Sequence, residues 1–384
     1  MPPFSIYLHI PYCDSKCPYC DFNSYAAKRW PEEAYKDALI AELRAAAEDA
    51  AWRERTVQTV FFGGGTPSLF APASIGSLID AIFELWPCDP DADVETTMEA
   101  NPGTVDAAKL AGFRAAGVNR ISFGVQSFQP RHLERLGRIH GAEQAMRAIG
   151  DARAGGFVNV NLDLMFAVPG QTVPEWESDL STAIDLQTDH VSAYNLTFEE
   201  GTPFETMRRK GTLRPLSEEI EVAMFTRARE VLGAAGYPQY EISNYARRGR
   251  ECRHNLNYWR GGDYLGVGAG AHSFCRTPRP GVRWSNEKIP GVYLERVGAS
   301  GGARVSQEAL SRRQAQGEFV FLTLRCLAGF DSESFAERFG VSFAEAFPHV
   351  TSLARDGLIE HGDHHWRLTE RGLLVADSVF ATFV

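Results

Sequence analysis

Over the first two-thirds of the chain, short β-branched and aromatic runs alternate with longer amphipathic stretches. This alternation constrains the fold more than any other feature of the sequence. Strand patterns fall at residues 4–10, 57–62, 94–100, 120–125, 158–165 and 190–196. Helical periodicity covers 32–51, 73–85, 104–116, 130–154, 174–186 and 218–235. Pro174 stands at a first turn, and Gly117, Gly155 and Gly236 stand just past helix ends. Strand–helix units in series imply an α/β fold with a parallel sheet and functional loops at the carboxyl ends of its strands. Periodicity does not say whether that sheet is open or closed. Six such units suit a curved, barrel-like sheet at least as well as a doubly wound one.

At 384 residues the chain has room for more than one domain of about 150 residues. From 276 to 306 the composition changes: TPRPG and GASGGA read as turn or linker, with Trp284 and Tyr293 as residues that still pack on something. Helical periodicity resumes at 307–325. Two short helical patterns follow, then LIEHGDHHWRLTERG, which reads as strand, turn, strand and closing helix. Three helices and a hairpin make a winged-helix-like α+β module. The expected division is therefore 1–240, 241–306 and 307–384. The net charge of −10 supplies no global basic field, so the module is expected to dock or cover rather than bind nucleic acid. The start MPPFSIYLHIPYC lacks a secretory pattern, and no window of about 20 residues is apolar enough to span a bilayer. A cytoplasmic protein is expected.

Three of the seven cysteines, Cys13, Cys17 and Cys20, crowd into a C-x3-C-x2-C segment directly after the first strand pattern. Three thiolates on one short loop favour zinc or an iron–sulfur cluster. Structural zinc wants four ligands, and no second C-x2-C pair exists; His9 is a conceivable fourth but sits on the strand. A [4Fe–4S] cluster with three protein ligands keeps one iron open for an exogenous ligand. Cys88, Cys252, Cys275 and Cys326 are scattered and read as packing thiols.

Gly63-Gly64-Gly65-Thr66-Pro67 follows the second strand pattern, where glycines let a backbone approach a ligand closely. Alone it also fits a tight β-to-α turn. Polar residues then stand where a buried sheet would carry apolar ones: Glu99 in MEANPG, Gln126 in SFGVQSF and Asp163 in NLDLMF, with Arg138 in LGRIH. A series on successive units is hard to explain as packing.

The cysteine spacing, with Tyr19 just before the last cysteine, resembles the signature of radical S-adenosylmethionine (SAM) enzymes. That resemblance implies a partial (βα)6 barrel and a cluster whose open iron chelates SAM, with an electron from the cluster cleaving it. YLHIPYC, CPYCDFN, GGGTPS, EANPG, SFGVQSF, LGRIH and HNLNYW together resemble the oxygen-independent coproporphyrinogen III oxidase-like branch, over essentially the whole chain. By motif position, the resemblance implies that Cys13, Cys17 and Cys20 hold the cluster. It also implies that Tyr7, Tyr19, Gly64, Gly65, Thr66, Glu99, Gln126, Arg138 and Asp163 contact or frame SAM.

Within that branch, the oxidase carries a further cysteine two residues after the motif, where this chain has Phe22, and a longer N-terminal extension. His254-Asn255-Leu256-Asn257-Tyr258-Trp259 instead matches the HNxxYW pattern of haem chaperones of the HemW type. A histidine beside two large aromatics offers an axial nitrogen and flat surfaces to haem, although without the family pattern it reads as a satisfied packing histidine. The resemblance implies haem, an electron donor and a haem-acceptor protein as partners, with peripheral association to membrane-bound haem proteins. SAM-dependent decarboxylation of coproporphyrinogen III is the enzyme alternative, and a zinc-stabilised binding module is a third. Gly266–Ala271 nominally matches a dinucleotide fingerprint but lacks room for the following helix. His361, His364 and His365 read as a polar turn.

Overall fold

The computed structural model describes residues 3–88 and 93–384. Six parallel strands run in chain order: β1 (Phe4–Ile10), β2 (Val57–Gly64), β3 (Glu95–Ala100), β4 (Arg120–Gln126), β5 (Val160–Phe166) and β6 (His190–Asn195). The crossover helices are α1 (Glu32–Glu48), α2 (Pro72–Leu85), α3 (Ala107–Ala115), α4 (Ala142–Ala154) and α5 (Val173–Asp185), with α6 (Glu218–Ala234) following β6. Six of the sheet's twelve strands are thus parallel βα units. Beyond β6 the sheet continues antiparallel through Asn244–Ala246 to Gln239–Glu241. Beyond β1 it adds Tyr264–Val267 in parallel, then His272–Cys275, Val282–Asn286 and Arg304–Ala309 in antiparallel order. The two outer edges do not pair, so the barrel is partial.

Strand alternation explains the layering. On β4, Ile121, Phe123 and Val125 are buried against the helices, as are Val160, Leu162 and Leu164 on β5. The intervening residues Arg120, Ser122, Asn161 and Asp163 face an internal cavity. One face of the sheet therefore packs an apolar shell, and the other encloses a polar lumen.

Three expectations are corrected. The helical period at 130–154 breaks into Pro130–Arg135 and α4, because Gly137 adopts φ +65° and the chain turns there. That break carries Arg138. The stretch read as linker is ordered: Val282–Asn286 is a strand, Pro290–Ser300 a helix, and Gly301 at φ +73° its left-handed stop. It is held because Trp284 packs 5.9 Å from Trp52 and the Tyr293 hydroxyl donates to buried Glu42 at 2.6 Å. Helix Arg312–Leu324 accordingly starts later than its periodicity suggested, behind a Ser311–Gln314 capping box.

The C-terminal module joins that helix to Ser332–Phe339, short further helices and a three-stranded sheet of Phe330–Asp331, His365–Leu368 and Ile359–Gly362. Phe319, Phe335, Phe343 and Phe347 form its aromatic core. It docks beside the helix Arg253–Trp259, where Arg325 lies 4.5 Å over the Trp259 ring. His361 in its hairpin stacks on Trp366 at 4.5 Å and bonds Ser332, as a polar turn would. Among the described residues, no helix is long and apolar enough to cross a membrane.

Candidate functional site

The lumen opens at the carboxyl ends of β1 to β6 as a cavity of about 630 Å³, a size suited to a small-molecule ligand. The cysteine loop leaves β1 at this end and is pinned by a two-residue pairing of Tyr12–Cys13 with Tyr25–Ala26. Lys16 Nζ donates to the carbonyls of Phe22 and Ser24, both at 3.0 Å, closing the loop on itself. Each thiol has a polar neighbour. The Thr66 hydroxyl donates to Cys13 Sγ at 3.5 Å, Arg138 Nη1 to Cys17 Sγ at 3.4 Å, and Ser24 Oγ lies 3.9 Å from Cys20 Sγ. Burial raises the Cys13 and Cys20 thiols above their ordinary range.

Three thiols facing one cavity, two of them receiving hydrogen bonds, fit a cluster held by thiolates. A four-ligand zinc site fares worse. His9 has both ring nitrogens engaged, Nδ1 with Tyr7 Oη at 3.0 Å and Nε2 with the Asn23 carbonyl at 2.9 Å. Among the described residues, no three histidine, cysteine or acidic side chains converge as a single bare ion requires.

The glycine segment lies against the exit of the cysteine loop. Gly65 N donates to the Ile10 carbonyl and Thr66 N to that of Tyr12, both at 2.8 Å. A Cβ on Gly65 would meet the Tyr12 carbonyl oxygen at 2.6 Å, and Gly64 holds φ +112° beneath the His9 ring. Gly64 N donates to Glu99 Oε2 at 3.3 Å. Burial, reinforced by the charge of Asp163, pushes Glu99 up to about 8. Asp163 accepts from Ser122 Oγ at 3.1 Å and Asn161 Nδ2 at 2.9 Å, and burial raises it as well. Gln126 ends β4 at φ +71°, beside a register shift that turns the strand. Arg138 spans from the Gly124 carbonyl at 2.7 Å to Cys17 and the Tyr19 hydroxyl.

His254 enters the same lumen from its other side, on the helix Arg253–Trp259. Glu95 on β3 accepts from the backbone N–H of Arg253 at 3.1 Å and of His254 at 2.9 Å, which fixes the helix start over the lumen. The imidazole is fully engaged: Nδ1 lies 2.8 Å from Thr59 Oγ1 and Nε2 lies 2.8 Å from Tyr258 Oη. Burial, helped by the positive charge of Arg120, pushes it down to about 3, so it is neutral. In this conformation it is a satisfied packing histidine. To ligate iron it must first lose a partner.

Every residue that the resemblance assigns to the cluster, SAM or haem, from Tyr7 and the three cysteines to Asp163 and His254, lines this one cavity. The sequence reading missed its deeper lining: Arg120, Asn161, His190, Ser192 and Tyr194. Polar–apolar alternation over the first residues of β4, β5 and β6 was the available signal, because a parallel strand buried on both faces should be apolar throughout.

Comparison with known proteins agrees with this arrangement. The family model of the Radical SAM superfamily matches residues 7–183, and that of the HemN C-terminal domain matches residues 310–375. Proteins named heme chaperone HemW are 38% identical to it: that of Escherichia coli over 100% of this chain and 99% of its own length, and that of Bacillus subtilis over 99% of each. The chain belongs to the HemW family of radical SAM proteins. Its fold is also that of coproporphyrinogen III oxidase (HemN) from Escherichia coli, a radical SAM enzyme. The two superpose with a TM-score of 0.84 at 25% identity, over 100% of this chain and 90% of that one. In this HemW-family chain Phe22 is 60% exposed at the cavity mouth, so a side chain at that position meets solvent rather than the core.

Proposed function

We propose that this chain is a cytoplasmic haem chaperone. On this reading it binds haem, carries a [4Fe–4S] cluster with exchangeable SAM, and passes haem to acceptor proteins. One observation carries the reading: in a chain related along its full length to HemW proteins, the three thiols and His254 face a single polar lumen. Cys13, Cys17 and Cys20 are the candidate cluster ligands. When bound, the cluster supplies one electron to SAM. Arg138 places positive charge at Cys17, Glu99 offers a carboxyl that ionises beside the SAM cation, and Asp163, held by the Ser122 hydroxyl and the Asn161 amide, is placed to accept from SAM hydroxyls. His254 is the candidate axial ligand, reached when Tyr258 turns its hydroxyl away. Partners are haem, an electron donor and haem-acceptor proteins, including membrane-bound ones met peripherally.

The test uses anaerobically reconstituted full-length protein. Cys17→Ser should lose iron, sulfide and the brown absorption, and wild-type protein should bind haem stoichiometrically and deliver it to an apo-acceptor. Retention of full iron and sulfide by Cys17→Ser would remove that ligand assignment. The likeness to coproporphyrinogen III oxidase favours a second reading, oxidative decarboxylation of coproporphyrinogen III. Formation of protoporphyrinogen IX by the same sample without specific haem binding would establish it instead.

A further inference from the structure

Arg120 is the first residue of β4 and points into the lumen. It is 2% exposed, and its Nε has no hydrogen-bond partner among the described residues. Nor does any carboxylate among them form an ion pair with it. Burial works against its charge, but acidic groups nearby, Glu95 and Asp163 among them, keep the guanidinium ionised; what it lacks is contact, and buried donors left unpaired are costly unless a ligand supplies the missing hydrogen bonds. The acids nearest in charge range are already committed. Glu95 accepts from the Arg253 and His254 amides and the Cys252 thiol, and Asp163 accepts from Ser122 and Asn161. His190, held between Asn161 Oδ1 at 2.6 Å and Tyr240 Oη at 2.8 Å, is a neutral member of the same lining.

From these relationships we propose that Arg120 receives a carboxylate of the ligand that enters the lumen, and that this carboxylate is a tetrapyrrole propionate. The identity of the ligand rests on the haem reading above. A planar guanidinium with free donors matches a carboxylate in two parallel hydrogen bonds. The carboxylate of SAM is the competing source. Six residues of strand, about 20 Å at ~3.3 Å each, separate Arg120 from Gln126 at the cysteine end. A SAM molecule whose amino-acid end sits at the cluster leaves the Arg120 end of the lumen to a different acid. His254 and Arg120 line the same cavity, so the proposal has one tetrapyrrole meet both.

The experiment titrates full-length reconstituted protein with haem and with haem dimethyl ester, whose propionates are blocked, and with SAM in parallel. Wild type should prefer haem to the ester by tenfold or more. Arg120→Met should lose that preference by weakening haem alone, while SAM affinity changes less than threefold. Arg120→Lys, which keeps the charge, should retain part of the preference, and iron and sulfide content reports whether each variant folds. An undiminished preference in Arg120→Met overturns the proposal and leaves the chaperone reading standing. Loss of SAM affinity with haem binding intact overturns it in favour of the SAM carboxylate. A wild type that binds neither haem nor its ester overturns the haem reading and this inference with it.

Discussion

Tyr258 places its hydroxyl 2.8 Å from Nε2 of His254, one helical turn away, while Thr59 holds Nδ1 at 2.8 Å. The ring is also stacked on Phe61 at 4.9 Å. An imidazole that donates from Nδ1 to Thr59 spends its Nε2 lone pair on Tyr258, and that lone pair is the one a haem iron needs. Tyr258→Phe should therefore tighten haem binding by about 1 kcal/mol, roughly fivefold, and His254→Ala should weaken it. Haem titrations followed by absorbance check both. Equal affinity in wild type and both variants would make His254 a packing residue only.

Glu99 holds its proton up to about 8 because burial and the Asp163 charge oppose ionisation. Binding a cation beside it favours the carboxylate, so SAM binding should expel a proton at neutral pH. The affinity should then rise as pH rises toward 8 and level off above it. Glu99→Gln removes this group and should flatten that part of the profile. SAM dissociation constants between pH 6.5 and 8.5, for both proteins, provide the check; parallel profiles would assign the pH dependence to SAM itself.

The glycine segment makes a paired prediction. On Gly65 a new Cβ collides with backbone of the cysteine loop, at 2.6 Å from the Tyr12 carbonyl oxygen. Gly65→Ala should cost about 1–3 kcal/mol and lower cluster loading by pushing the two loops apart. Gly150, inside α4, has open space for 4 Å around the place a Cβ would take, and no positive φ. Gly150→Ala should stabilise by about 0.5–1 kcal/mol and leave loading unchanged. Thermal melts with iron and sulfide analysis separate the two.

What was legible in the sequence is what repeats locally. β1 begins and ends where its alternation does, and the other five parallel strands lie within a few residues of their patterns. The thiol and glycine motifs were visible because their chemistry lies within a few residues of chain. Three things were hidden. The break at Gly137 lies inside a helical period that continues on both sides of it. Strands from 282 to 309 were masked by Gly and Pro, and their packing on Trp52 and Glu42 comes from far along the chain. The partners of His254 include Thr59, 195 residues away, which no local pattern can reveal.

Glu42 ties α1 to that late segment. It accepts from Tyr293 Oη at 2.6 Å, Asn286 Nδ2 at 2.6 Å and Gly268 N at 3.0 Å, yet burial still pushes its carboxyl up to about 7. An unfolded glutamate titrates near ~4.3. Between these values the folded chain binds more protons than the unfolded one, so stability falls as pH rises through that window and is level above it. The loss is of the order of a few kcal/mol. Glu42→Gln should abolish this component, because an amide neither titrates nor must be ionised. Other raised acids, Glu99 and Asp179 among them, act with the same sign and remain in both proteins. The difference between wild-type and Glu42→Gln melting temperatures from pH 5 to 8 therefore isolates the clamp: a gap that changes steadily through the window and then holds is the expected result, and a constant gap would show that Glu42 stays ionised when buried.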